Sequence, residues 1–325
     1  MAASLALAAE PAPVVHTGDK FDAADTLACG DESSPDAKEC LAHLAWTPAK
    51  FTVQVDAAEP GFGDYLVRFP SARPIGNTTI DEVSMEWFAA RGDDKQIRRA
   101  PAVVVVHESG RRMTVGRLIA RGIAAQGVHA FLVHLPGYGP RRVVGFPTVE
   151  QIMPAMHEAI ADVRRARDAA TALPAVDRSV VGLQGTSLGG FVAAGVAGLD
   201  HGYNRVFILL AGGNLDEVLF HGSNEVAKAR SKLAAAGITE EQIRTAAHEL
   251  EPLRLAHRIH PDETWLYSGK FDTVVPPRCS QALAKAASLP HDHFIEFPAS
   301  HYSGIVYLPN VVQQISQRML ESTSK

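Results

Sequence analysis

The sequence predicts an α/β protein with a mostly parallel sheet of about eight strands and helices on both faces. From about residue 100 onward, short apolar runs alternate with segments of helical periodicity. Ala102–Val106 (AVVVV) is a continuous apolar run, typical of a strand buried on both faces. The chain has 325 residues and is 46% hydrophobic, which allows a large core and excludes a disordered protein.

The first predicted strands are not separated by helices. They are Phe51–Val55, Tyr65–Phe69 and Val83–Ala90, with Gly, Pro, Asn and Asp turn residues between them. We expect them to form an antiparallel edge of the sheet. Residues 1–50 are predicted to be an N-terminal extension, and residues 51–325 to be the main domain.

The later elements alternate along the chain. The predicted strands are His129–His134, Val180–Gln184, Val206–Leu210, Trp265–Ser268 and Phe294–Phe297, and the predicted helices are Thr114–Gln126, Val149–Leu173, Ser280–Ala287 and Asn310–Glu321. The longest helix carries an apolar stripe, formed by Ile152, Met156, Ile160 and Val163. Its charged residues lie away from that stripe, namely Arg164, Arg165 and Asp168.

Residues 212–260 interrupt the alternation with about fifty residues of helical pattern. Ser223 can cap a helix that ends at Gly237, and Thr239 with Gln242 forms a capping box for the next helix. We interpret this segment as a helical cap inserted over the sheet.

Charge and hydropathy exclude several classes of function. The net charge is −5 and the basic residues are scattered, so no basic stripe predicts a nucleic-acid partner. Val180–Leu199 lacks charged residues but contains six glycines, which fits a buried strand and helix better than an integral membrane span. We therefore expect a small-molecule substrate; the sequence leaves the oligomeric state open.

The N-terminal segment favours export. Ala2–Ala9 is apolar and rich in small residues, like the end of a secretory signal, although the first basic residue is Lys20. Cys29 and Cys40 lie close enough in a loop-like segment to form a disulfide, which is useful in an oxidising compartment. The prediction is a secreted or periplasmic protein; the alternative is a cytoplasmic protein with a disordered Ala-rich tail.

The strongest motif is Gly185-Thr186-Ser187-Leu188-Gly189. It follows an apolar strand and precedes an apolar segment rich in small residues. This is the context of a nucleophile elbow, in which the sharp strand-to-helix turn requires glycine two residues either side of the exposed serine. Ser187 is therefore the predicted nucleophile; the alternative is a glycine-rich turn with an idle serine.

A nucleophilic serine needs a base, and the base needs an orienting carboxylate. Asp272 follows one predicted strand and His301 follows the last, so both belong at the same sheet edge as Ser187. The order Ser, Asp, His is the one expected on this scaffold. Asp216 is a weaker candidate for the acid. We predict a Ser187–His301–Asp272 triad.

An oxyanion needs two backbone donors. One is the amide of Leu188, and the other is assigned to Ser109 in the loop that follows AVVVV. Glu108 in that loop either pairs with Arg111 or Arg112 or fixes the loop, and it is also a candidate substrate contact. His107 is interpreted as a packing residue.

The loop Leu135–Arg142 and the helical insertion are predicted to form the substrate pocket. Tyr138 is a candidate contact for an acyl or alcohol group. Arg141 could hold a substrate carboxylate, or it could be a solvated surface charge. His291 and His293 precede a strand at the opposite sheet edge, so we predict no metal site there.

These motifs together resemble the α/β-hydrolase superfamily over residues 80 to 320: GTSLGG, SGKFDTVVPP, ASH and HESG. The His-Glu pair looks like the dienelactone hydrolase and acyl-esterase branch. Dienelactone hydrolases carry a cysteine nucleophile, whereas this chain has Ser187, which favours an ordinary serine esterase. The resemblance implies no metal and no organic cofactor.

Three functions follow as hypotheses. The leading one is a serine hydrolase that cleaves carboxylic esters through an acyl-enzyme. The second keeps the triad but acts as an amidase or peptidase, or on acylated carbohydrate. The third is a non-catalytic binding module on the same fold, which would predict a degraded triad.

Overall fold

The computed structural model describes residues 14–321, so the signal-like segment Ala2–Ala9 lies outside the described residues. The described residues form one sheet of ten strands. The strands are β1 (Lys20–Ala24), β2 (Lys50–Ala57), β3 (Tyr65–Pro70), β4 (Glu82–Phe88), β5 (Ala100–Val106), β6 (His129–Val133), β7 (Val176–Thr186), β8 (Arg205–Leu209), β9 (Thr264–Gly269) and β10 (Phe294–Phe297).

Helices connect and cover these strands. They are α1 (Pro35–Leu44), α2 (Thr78–Asp81), α3 (Thr114–Ala125), α4 (Ile152–Ala172), α5 (Leu188–Leu199), α6 (Leu215–His221), α7 (Glu225–Ala235), α8 (Glu240–Glu249), α9 (Pro277–Ala286) and α10 (Leu308–Glu321). Helices α6 to α8 occupy the predicted insertion. The Thr239–Gln242 capping box of α8 is present, whereas α7 begins after Asn224 and not at the predicted cap Ser223.

The sheet is mixed, in the order β1-β2-β3-β4-β6-β5-β7-β8-β9-β10. Strands β1 to β4 pair antiparallel, β4 pairs antiparallel with β6, and the remaining neighbours are parallel. The predicted antiparallel edge is thus confirmed, but the sheet has ten strands rather than about eight. Strand β1 was missed because KFDAA is short, half polar and lacks β-branched residues.

The core lies on both faces of the sheet. Along β5, Val104 and Val106 pack with α4 and α5 on one face, whereas Val103 and Val105 pack with α3 and α10 on the other. Every residue of β5 is buried, as the continuous apolar run predicted. Parallel strands covered on both faces direct their carboxyl ends to one edge, where the loops after β5, β7, β9 and β10 meet.

Residues 14–50 join the same core through buried charges. Asp25, after β1, accepts hydrogen bonds from the Arg165 guanidinium (2.8 Å to Nε), the Trp46 indole and the Ala49 amide. Thr26 donates to Asp168 at 2.7 Å. The charged residues of α4, which were predicted to lie away from its apolar stripe, therefore hold the N-terminal segment against the core.

The prediction of a Cys29–Cys40 disulfide is wrong. Both residues are free thiols. Cys40 is buried on α1, where its Sγ lies 3.9 Å from the Glu249 carbonyl oxygen, whereas the backbone of Cys29 is held by Arg258. The Cys40 side chain and the Cys29 backbone are therefore held by different partners. The export prediction therefore keeps only the Ala-rich segment as its argument.

The ion pair of Asp25 with Arg165 predicts a contribution to the free energy of unfolding that is lost in acid. Burial alone would raise the pKa of Asp25, but the hydrogen bonds from Arg165, Ala49 and Trp46 lower it below its usual value. Such a contribution is complete above the unfolded-state pKa near 4 and is lost as the pH falls through the lower folded-state value. We expect Asp25→Ala to lower the free energy of unfolding by about 3 kcal/mol at neutral pH, because Arg165 loses its partner.

Denaturant unfolding between pH 3 and 7 checks this expectation, with Asp22→Ala on the exposed side of β1 as the control. The difference between Asp25→Ala and wild type should shrink on acidification. Equal loss in the two variants, or a difference independent of pH, contradicts the account.

Candidate active site

Ser187 lies at a reversal of the backbone between β7 and α5. Its φ is 53° and its ψ is −115°, a conformation that a non-glycine residue rarely adopts. A Cβ at Gly185 would overlap the carbonyl of Gly189, and a Cβ at Gly189 would overlap the carbonyl oxygens of Val106 and His107. Both glycines are required because the elbow packs backbone against backbone, as the sequence motif predicted.

The structure brings the three predicted triad residues together. The Ser187 Oγ lies 3.0 Å from the His301 Nε2, and the His301 Nδ1 lies 2.7 Å from an Asp272 carboxylate oxygen. The other Asp272 oxygen accepts hydrogen bonds from the amides of Val274 (2.8 Å) and Val275 (2.9 Å). The buried Asp272 carboxylate is therefore fixed in place and can orient the imidazole.

The loops that carry Asp272 and His301 support each other. The Phe271 amide donates to the Ala299 carbonyl at 3.0 Å, and the Lys270 amide donates to the Phe297 carbonyl at 2.8 Å. These bonds continue the pairing of β9 with β10 past the end of the sheet. Two residues far apart in sequence are thereby held at one height above the sheet edge.

Asp216, the weaker candidate for the acid, does something else. It lies on α6, is half exposed and forms an ion pair with Arg244 of α8. The imidazole of His301 takes Asp272 as its partner instead. Asp216 thus ties two helices of the insertion together.

The loop after β5 lies directly against the elbow. The Gly189 amide donates to the His107 carbonyl at 3.1 Å, which fixes the position of the next two residues. In the described part of the chain, the amides of Ser109 and Leu188 have no hydrogen-bond acceptor, and both residues line the cavity beside Ser187. Two unpaired donors beside the serine are what an oxyanion hole requires.

Glu108 and His107 shape this loop. The Glu108 carboxylate accepts hydrogen bonds from the Val115 amide (3.1 Å) and the Gly116 amide (3.0 Å), so it caps α3 and does not pair with the neighbouring arginines. His107 is fully buried, and desolvation lowers its pKa to about 3. Its Nε2 accepts from the Leu135 amide, so the neutral ring packs and does not act as a base.

Two predicted substrate contacts lie elsewhere. Arg141 is fully buried and binds Glu158 (2.9 Å) and Asp162 (2.7 Å), so the prediction that it holds a substrate carboxylate is wrong. Burial and the adjacent Asp162 raise the pKa of Glu158 to about 8 despite that arginine. The Tyr138 hydroxyl donates to the Ser109 carbonyl at 3.1 Å, and its ring contacts His107, so Tyr138 supports the loop that follows β5.

A cavity of about 960 Å³ adjoins Ser187. Its walls come from α4 and α5 below and from the insertion helices α6, α7 and α8 above. Sequence reasoning missed much of this wall, because Ile152, Met156 and Ile160 were assigned to a core-facing stripe. Only the placement of the insertion decides which part of that stripe packs in the core and which part faces open space.

Within residues 14–321, no cluster of His, Cys, Asp and Glu side chains could hold a metal ion. His293 contacts the carbonyl oxygens of Pro261 and Thr264, each at 3.1 Å, so its ring stabilises a turn. The helices described here also include none that is long and apolar enough to span a bilayer.

Solved structures similar to this chain include several hydrolases. An acetyl xylan esterase from Paenibacillus sp. R4 has a TM-score of 0.61 at 16% identity, covering 87% of this chain and 92% of that one. Acetyl xylan esterase 1 from Thermoanaerobacterium sp. JW/SL YS485 has a TM-score of 0.58 at 16% identity, covering 85% and 92%. A puromycin-hydrolysing peptidase from Mycobacterium tuberculosis has a TM-score of 0.58 at 18% identity, covering 82% and 45%.

No protein-family model matches the sequence, and no curated protein matches it. The structural likenesses show the α/β-hydrolase fold, which confirms the fold predicted from the sequence. At such low identity they concern the fold alone. The chemistry must be argued from the side chains.

The close packing at the elbow predicts that alanine at Gly189 and alanine at Gly195, both in α5, affect the free energy of unfolding differently. Gly189→Ala places a methyl group against the end of β5, so we expect a loss of about 2 kcal/mol in the free energy of unfolding. Gly195→Ala lies on the same helix and meets only the flexible end of Ile160, while alanine favours the helix by up to about 1 kcal/mol. Chemical denaturation of both variants checks this, and equal stability would contradict the close-packed elbow.

Proposed function

We propose that the protein is a serine hydrolase that cleaves carboxylic esters through an acyl-enzyme. Ser187 attacks the ester carbonyl carbon while the His301 Nε2 takes its proton. Asp272 holds the imidazolium that forms, and the amides of Leu188 and Ser109 donate to the oxyanion. His301 then protonates the leaving alcohol. Water, activated by the same imidazole, attacks the acyl-enzyme and returns Ser187 to its starting state.

The observation that carries this proposal is the continuous hydrogen-bond chain from the Ser187 Oγ through His301 to Asp272. The strained backbone of Ser187 supports it, because strain of this kind persists where a side chain must be presented. Because this chain of hydrogen bonds is complete, it disfavours a non-catalytic binding module, for which a degraded triad is expected. The esterases among the structural neighbours agree with ester hydrolysis on this fold.

Amide hydrolysis is the second candidate. The same constellation serves both bond types, and a puromycin-hydrolysing peptidase is among the structural neighbours. Acylated carbohydrate is a further candidate, suggested by the two acetyl xylan esterases. Parallel assays on a chromogenic ester, the matching anilide and acetylated xylan separate these activities.

Replacement of the nucleophile tests the proposal directly. We expect Ser187→Ala to lower the kcat for p-nitrophenyl butanoate by at least about 10⁴-fold. A fluorophosphonate probe should label wild type and leave Ser187→Ala unlabelled, as read by intact mass. Equal hydrolysis or equal labelling in the two proteins contradicts the assignment.

The choice of acid is tested by a matched pair of asparagine variants. Asp272→Asn cannot hold the His301 Nδ1 proton in the same way, so we expect kcat to fall by about 10⁴-fold with little change in KM. Asp216→Asn lies in an exposed ion pair and should retain wild-type activity. A larger loss in Asp216→Asn than in Asp272→Asn would reverse the assignment.

A further inference from the structure

We propose that the cavity beside Ser187 binds an extended apolar acyl or alkyl chain of the substrate, and that helix α7 covers that chain. The inference rests on the proposed ester hydrolysis and names its substrate class. A substrate with a long apolar chain differs from the acetylated polysaccharide that the names of two structural neighbours suggest.

The cavity wall is mostly aliphatic and aromatic. Side chains from helices of the core and of the insertion define it, among them Met153, Met156, Phe191, Leu219, Leu233 and Ile243. Its volume of about 960 Å³ is far larger than an acetyl group needs. Each methylene that leaves water for such a wall contributes to binding, so the wall favours long chains.

The two carboxylates on the wall already have partners within the protein. Among the described residues, no Lys or Arg lines the cavity. Both oxygens of Glu108 are used by the amides that they cap, and Glu225 pairs with Lys228 at 3.1 Å on the exposed side of α7. A sugar in this cavity would lose its hydrogen bonds to water and find few polar partners on the wall, which would weaken its binding.

Helix α7 gives an independent argument. None of its residues is buried, although its apolar side chains Val226, Ala229 and Leu233 line the cavity. Val226 packs on the small cluster around Val218, whereas Ala229 and Leu233 have the open space of the cavity before them. A surface helix normally covers its apolar stripe. A bound alkyl chain would supply that missing partner.

The test measures kcat/KM for two series of esters. The first is p-nitrophenyl acetate, butanoate, hexanoate and octanoate; the second is the acetates of ethanol, butanol, hexanol and octanol. We expect kcat/KM to rise by roughly threefold per methylene in at least one series, which also shows whether the acyl or the alcohol chain enters the cavity.

A pair of charge insertions on α7 locates the effect. Leu233→Asp places a carboxylate on the cavity wall. Ala234→Asp places the same charge at the next position, which is exposed to solvent and does not line the cavity. We expect Leu233→Asp to lower the octanoate-to-acetate ratio of kcat/KM, or the octyl-to-ethyl ratio, by about tenfold. Ala234→Asp should keep the wild-type ratio.

The outcomes separate this inference from the proposed function. Hydrolysis of the acetates with no gain along either series, or the same ratio in both variants, overturns the inference and leaves ester hydrolysis standing. If no ester is hydrolysed, the proposed function fails, and binding of the neutral dye Nile red then decides about the cavity. At least fivefold weaker binding in Leu233→Asp than in Ala234→Asp supports an apolar site, and equal binding overturns it.

Discussion

The structure depends on one close backbone contact, between the start of α5 and the end of β5. Gly189 lies against the carbonyls of Val106 and His107 with no room for a side chain. This contact forces the reversal at Ser187 and sets the loop that follows β5 beside it. Ser187 and the amides of Leu188 and Ser109, the proposed nucleophile and oxyanion donors, are therefore positioned by backbone packing, the least adjustable part of the molecule.

The imidazole and the carboxylate reach the same place by a different route. The parallel strands β9 and β10 end side by side, and hydrogen bonds between their loops carry Asp272 and His301 forward together. Neither residue depends on the elbow for its conformation. The site forms where two independently supported parts of the sheet edge meet, which explains why separations of 85 and 29 residues are no obstacle.

The grouping of Ser187, Asp272 and His301 could be predicted from the sequence because each of them follows a recognisable strand in a fixed order. Strand β1 could not, since its sequence is short and half polar and the residues that follow it are held by the charges of α4. Arg165 and Arg164 look like surface residues in a helical periodicity, yet each is buried by a carboxylate partner from a distant segment, Asp25 and Asp200. Periodicity records polarity and carries no information about such partners.

The cavity shows the same limit. Met156 and Val163 belong to one stripe of α4, but Met156 faces open space under the insertion while Val163 packs in the core. Arg141 belongs to a glycine-rich loop and resembles a substrate contact, yet its guanidinium donates hydrogen bonds to two buried acids. In each case the deciding factor is a neighbour contributed by a remote segment.

The proposed mechanism requires that Ser187 is acylated during turnover. This can be measured by acid quenching during steady-state hydrolysis of a p-nitrophenyl ester, followed by peptide mass mapping. We expect an added acyl mass on the peptide that contains Ser187, with fragmentation placing it on that serine. Continued turnover with the acyl group on another residue, or with no covalent adduct even when deacylation is slowed by a bulky acyl group, would contradict it.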